Sequence, residues 1–160
     1  YHCQSERRLH EVTEREGAPT PIVTSAGARV HGLKALGAKK IAMVAPYMRP
    51  LTELVAAYLE DEGFQVVDKV SLEIPDNVEV GRRDPMALVD IYKRLALDGA
   101  DVLVLSSCVQ MPSLAAIPIV ERECGRPVVS AAVCTTYQML QTLGLRTFAP
   151  NAGALLSGRY

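Results

Sequence analysis

The run Asp101–Ser106 (DVLVLS) is apolar until it meets Ser106-Ser107-Cys108, three small polar or nucleophilic side chains in succession. A thiol at such a place can add to an electrophilic carbon or carry a proton. The backbone N–H groups just beyond it can hold an anion or bias the thiol toward thiolate. Two other stretches could supply polar contacts to the same chemistry. Pro46-Tyr47-Met48-Arg49-Pro50 offers a phenol and a guanidinium, and Glu73-Ile74-Pro75-Asp76-Asn77 offers an amide. Each has a plainer reading. Tyr47 between prolines serves as a packing anchor, Asn77 after Pro75-Asp76 as a turn former, and Cys108 as a small buried hydrophobe. Cys108 has the better case of the three, because its neighbours break the apolar strand at its mouth. Cys134, followed by Thr135 and Thr136, is the other thiol near that edge.

The elements needed to position these residues follow from the apolar pattern. Lys40–Ala45, Phe64–Val70, Asp101–Ser106 and Pro127–Ala131 read as strands, the third apolar without alternation, as befits a strand covered on both faces. Between them lie helical patterns. Thr24–Leu36 stops at Gly37, and the helix from Pro50 to Gly63 carries the stripe Leu51, Leu54, Val55, Tyr58 and Leu59. Asp84 can cap a helix with Leu88, Val89, Tyr92 and Leu95 inward, and Ala132–Leu143 ends at Gly144. Pro118 predicts a turn and then a short helix within Ser113–Glu123, while Gln4–Arg15 is a polar helical run and Asn151–Tyr160 an irregular tail. The alternation predicts an α/β fold, a parallel four-stranded sheet with helices on both faces. In such sheets ligands bind at the carboxyl ends of the strands, which is where Tyr47, Asn77 and Cys108 all fall.

Composition narrows the function classes. The chain has 160 residues, a length that fits one domain, and 49% of them are apolar. Seventeen Lys and Arg against 18 Asp and Glu leave a net charge of -1, which argues against a nucleic-acid partner. No apolar run is long enough to span a membrane. The four cysteines match no zinc spacing, so reduced thiols in a cytoplasmic protein are the expectation. His2, His10 and His31 precede the strands, which speaks against a Cys–His pair, and no GxGxxG or GxxxxGK[ST] supports nucleotide binding. Arg49, Arg82 and Arg83 can attract a carboxylate, although solvated loop charge accounts for Arg82 and Arg83.

Four segments carry a resemblance: VLSSCVQMPSL at Val104–Leu114, VAPYMRPLTEL at Val44–Leu54, LEIPDNVEVG at Leu72–Gly81 and GALLSGRY at Gly153–Tyr160. They resemble the maleate isomerases, the cis-trans isomerases of the aspartate/glutamate racemase superfamily. The resemblance implies a cofactor-free enzyme of two similar α/β lobes, each giving one cysteine to a shared cleft, with no metal. It makes Cys108 the proton donor and acceptor of the second lobe. It makes Tyr47 and Asn77 substrate-carboxylate contacts, with Val109 and Gln110 the backbone segment that holds a carboxylate. The substrate is then a small dicarboxylate, maleate or fumarate, and the assembly a homodimer.

The first-lobe nucleophile of that family has no counterpart here, since neither Cys3 nor any other cysteine matches its motif. The expectation is a C-terminal portion that is inactive alone. Residues 1–23 would be a first-lobe remnant and connection, 24–143 the second lobe, and 144–160 a segment returning to the first lobe. Gln4–Arg15 and the tail from Asn151 would lack packing partners. The alternatives are another two-cysteine racemase or decarboxylase, a non-catalytic dicarboxylate-binding lobe, and a flavodoxin-like flavin binder for which no phosphate loop is found.

Overall fold

The computed structural model describes residues 2–18 and 20–160, with side chains placed from residue 7 onward. Helix α1 (His2–Arg15) is followed by α2 (Ser25–Ala35), β1 (Lys40–Ala45), α3 (Arg49–Asp61), β2 (Gln65–Ser71) and α4 (Asn77–Gly81). A single turn, α5 (Leu88–Ile91), lies between two 3₁₀ turns and leads to β3 (Val102–Ser106). The chain ends with α6 (Ile117–Cys124), β4 (Val128–Ser130), α7 (Ala131–Thr142) and a 3₁₀ turn over Ala154–Leu156.

The four strands pair in the order β2-β1-β3-β4, all parallel. Residues Ile41–Ala45 and Val102–Ser106 are buried throughout, as central strands between two helical layers must be. One layer holds α2 packed on α7, with α3 beside α2 where Arg29 and Tyr58 border one cavity. The opposite layer joins the 85–94 segment to α6, where the Tyr92 hydroxyl donates to Glu123 at 2.9 Å. The chain runs from β1 outward to β2 and then crosses back to β3. The order therefore reverses between β1 and β3, and a crevice opens at their carboxyl ends.

Local chemistry explains most boundaries. Thr24 caps α2, its hydroxyl accepting from Gly27 N–H at 3.1 Å, a contact whose loss costs about 0.5–2 kcal/mol. Pro118 sits in the first turn of α6, where its missing N–H has no partner to lose. Gly125 then ends α6 in the left-handed conformation at φ +66°.

Four expectations are corrected. The inward face of α3 is Thr52, Ala56 and Leu59, whereas Leu51 and Leu54 are exposed. Thr52 can face inward because its hydroxyl donates to the Tyr47 carbonyl at 3.4 Å. Asp84 does cap the following segment, through Met86 N–H at 2.9 Å, but no continuous helix forms. Asn77 lies in a short helix rather than a loop, since Asp76 accepts from Val78 N–H at 2.8 Å and starts a turn. The tail has packing partners: Ala152, Leu155 and Leu156 are buried, and the 154–156 turn lies on α7 and β4.

Glu121 holds that tail. Its Oε1 accepts from Val128 N–H and from Ala154 N–H, each at 2.9 Å. Gly153, at φ +81°, leaves no room for a side chain there, because a Cβ would stand 2.8 Å from Ile117 Cγ2. Helix α1, by contrast, leaves Leu9 and Val12 exposed.

Candidate active site

The site grows from the mouth of β3. Ser107 N–H still donates to the Val44 carbonyl at 2.9 Å, so Cys108 is the first residue free of the ladder. The register between β3 and β4 shifts between Val104 and Ser106, which turns the strand end. Ser106 fixes the next residue from both sides. Its hydroxyl donates to the Cys108 carbonyl at 2.8 Å and accepts from Cys108 N–H at 3.4 Å. The Cys108 side chain is thus held half-buried at the crevice rather than sunk in the core.

Tyr47 reaches the same place from the end of β1. Its hydroxyl donates to the Ser107 carbonyl at 3.2 Å, immediately before Cys108, and lies near the Cys108 side chain. Burial, and then the neighbouring Cys108 side chain, hold the Tyr47 pKa well above the ordinary phenol value, so Tyr47 is a neutral donor at any working pH.

Asn77 and Gln110 close a third side. Gln110 Nε2 donates to the Asn77 carbonyl at 2.6 Å, tying the loop after β2 to the loop after β3. Asn77, Val109 and Gln110 are all exposed. The five residues singled out in the sequence therefore lie on two linked loop pairs: Tyr47 with Cys108, and Asn77 with Gln110 beside Val109. Beyond Val109 an apolar cavity of about 270 Å³ reaches toward Leu114, Thr136 and Leu156.

The other thiols stand apart. Cys134 is fully buried under Gly32 and Leu155, and burial pushes its pKa up to about 12. Cys124 ends α6 with its sulfur 3.7 Å from the Arg126 carbonyl, at the opposite end of the sheet from Cys108. The Cys3 thiol lies outside the described residues. Of the rim arginines, Arg49 is exposed and 3.7 Å from Glu73, and Arg83 is 3.8 Å from Glu79.

Arg29 was not singled out in the sequence. It is only 4% exposed, and its Nη1 donates to the Ser107 carbonyl at 2.9 Å, the same oxygen that Tyr47 uses. The signal was present in the spacing. Ala26, Arg29, Val30 and Leu33 form one i, i+3, i+4, i+7 face, so the sequence places a guanidinium on the inward stripe of α2. A buried cation must interact with something polar, and burial accordingly lowers the Arg29 pKa.

This geometry has close counterparts. The arylmalonate decarboxylase family model matches residues 4–156. A maleate isomerase of Geobacillus stearothermophilus is 54% identical over 160 residues, covering 100% of this chain and 64% of that protein. The structure of a cysteine-to-alanine variant of the maleate isomerase Iso from Pseudomonas putida S16 with maleate superposes with a TM-score of 0.97 at 52% identity, over 100% of this chain and 64% of that one. A Nocardia farcinica maleate cis-trans isomerase mutant with a covalently bound succinylcysteine intermediate superposes with a TM-score of 0.96 at 43% identity, over 99% and 65%. This chain thus spans about two-thirds of the length of each of these relatives, or slightly less. The chain belongs to the arylmalonate decarboxylase family, and its strong similarity to the maleate isomerases runs along its whole length.

Proposed function

We propose that this chain is the cysteine-bearing second lobe of a cofactor-free maleate cis-trans isomerase, with Cys108 as the proton donor and acceptor. The observation that carries the reading is the Cys108 thiol held half-buried at the β1–β3 crevice, with the Tyr47 hydroxyl on the adjoining Ser107 carbonyl. The Pseudomonas enzyme with maleate and the Nocardia enzyme with succinylcysteine support the substrate and the covalent chemistry.

Isomerisation requires the double bond of maleate to become single for a moment. A thiolate adds its electron pair to one alkene carbon, forming a C–S bond, while Cys108 gives its proton to the other carbon. The product is a succinyl thioether. Rotation about the new single bond is followed by reversal: the Cys108 thiolate takes a proton back, the C–S bond breaks, and fumarate leaves. Tyr47 and Asn77 would hold one carboxylate, with the backbone at Val109 and Gln110 completing its cradle. Tyr47 suits this role because it remains a neutral donor.

The attacking thiolate would come from a first lobe outside this chain. Neither Cys124 nor Cys134 faces Cys108, and the relatives are longer by about a third of their own length. Val78, Val109 and Leu114 are exposed around the crevice, as residues covered by that first lobe would be. On this reading residues 1–23 lead from that lobe, 24–143 form the second lobe, and 144–160 close it. The assembly is a homodimer by the same analogy.

The experiment is turnover of maleate, aspartate and an arylmalonate by a protein extended to the length of the relatives. Maleate alone should be consumed, and Cys108→Ser should abolish fumarate formation. Undiminished turnover in that variant removes Cys108 from the mechanism. Consumption of the arylmalonate instead would favour the decarboxylase reading, which the shared family model also accommodates. The 160-residue chain by itself should bind the dicarboxylate without converting it.

A further inference from the structure

A cavity of about 240 Å³, bordered by Tyr47, lies between the start of α2 and the start of α3. Two of its lining side chains keep buried polar atoms without a partner: Arg29 Nε and Ser107 Oγ, in residues each only 4% exposed. An orphaned donor of this kind is costly to bury, and more so when it is charged. Among the described residues no carboxylate lies within ion-pair distance of Arg29. The groups that favour its charge are Tyr47, Cys134, Tyr58 and Cys108, none of them a carboxylate.

The same cavity is bordered by Ser25 and Ala26, the first two residues of the 11-residue helix α2. Their N–H groups have no carbonyl to bond within the helix, whereas Gly27 and Ala28 are satisfied by Thr24. The positive end of α2, a guanidinium one turn later whose Nε lacks a partner, and an unpartnered hydroxyl thus line one space. Opposite them stand the apolar side chains of Leu51 and Val55. The volume exceeds that of one water, whose share of the liquid is about 30 Å³.

We propose that this cavity is a binding site for a small carboxylate. Its oxygens would accept from Arg29 Nε–H, from the Ser107 hydroxyl and from the first-turn N–H groups of α2, and its short apolar part would lie on Leu51 and Val55. This also explains the exposed leucine on α3, since Leu51 would be covered by the occupant. The site gives Arg29 the counter-charge that no described residue supplies.

The test is titration of this chain with sodium acetate at constant ionic strength, followed by amide and arginine side-chain nitrogen resonances. Saturable shifts of Arg29 Nε–H and of the Ser25 and Ala26 amides are expected, with none from neutral acetamide. Arg29→Met should weaken acetate binding at least tenfold. Ser107→Ala, a smaller change that keeps the fold if the arginine variant does not, should weaken it several-fold. Equal response to acetamide, no saturation, or unchanged affinity in Ser107→Ala would overturn the proposal, as would a crystal grown in acetate with water alone in the cavity. Because binding is read without turnover, the outcome is independent of whether the longer protein isomerises maleate.

Discussion

Arg29 and Tyr47 converge on a single acceptor: the Ser107 carbonyl oxygen takes Arg29 Nη1 at 2.9 Å and the Tyr47 hydroxyl at 3.2 Å. One donor comes from α2 and the other from the end of β1, and the carbonyl immediately precedes Cys108. The guanidinium holds this oxygen satisfied whether or not Tyr47 is bound to it. Tyr47 can therefore leave it for a substrate oxygen without stranding a buried carbonyl.

This arrangement separates two effects of Tyr47→Phe. Stability should change by no more than about 1 kcal/mol, because Arg29 still bonds the carbonyl. Affinity for maleate should fall about 10- to 100-fold, the loss of one hydrogen bond to a charged group. Chemical denaturation gives the first quantity and titration calorimetry the second. A stability loss of several kcal/mol with unchanged affinity would make Tyr47 a packing anchor only.

Alkaline stability should report on Cys134. The folded chain keeps this proton to about pH 12, whereas an unfolded thiol releases it near 9.0. Between these limits the unfolded chain binds fewer protons, so stability is complete below pH 9 and falls as pH rises, by up to about 1.4 kcal/mol per unit. Tyr92, pushed from 10.0 to about 12 chiefly by burial, adds to the fall only above pH 10. Cys134→Ala should flatten the slope between pH 9 and 10. Urea denaturation at half-unit pH steps measures it, and an unchanged slope would contradict the burial assigned to this thiol.

The crossing of α2 and α7 depends on Gly32. A Cβ there would stand 2.9 Å from both Cys134 Sγ and Leu155 Cδ2, which are fully buried and have nowhere to retreat. Gly32→Ala should destabilise the fold by about 1–3 kcal/mol despite the better helix propensity of alanine. Adding Cys134→Ala should recover part of the loss, so the double variant should be less damaged than the two single changes combined.

The sheet was legible because its signals are local. Val102–Ser106 is continuously apolar, and prolines and glycines punctuate the helices. The crevice was legible for the same reason, since strand ends could be located and Cys108 stood at one of them. What escaped depends on partners distant in sequence. The leucines of α3 form a regular stripe, yet the helix turns its smaller face to the sheet, where Thr52 finds carbonyls and Ala56 fits. Arg29 was hidden because its acceptor lies 78 residues away. The tail was misjudged because nothing near Asn151 in sequence announces that Glu121 will bind it.

Glu121 gives that last point a direct test. Its single oxygen Oε1 accepts from Val128 N–H in β4 and from Ala154 N–H in the tail, both at 2.9 Å. Glu121→Ala would leave both N–H groups without this acceptor and should cost about 2–4 kcal/mol. Glu121→Gln keeps a carbonyl oxygen in the same place and should recover more than half of that loss. The alanine variant should also release Leu155 and Leu156 from α7 often enough to expose the tail to protease. Limited proteolysis should then cut within residues 144–160 of Glu121→Ala while sparing the parent chain and Glu121→Gln. Equal protection of all three would show that burial of Leu155 and Leu156 alone holds the tail in place.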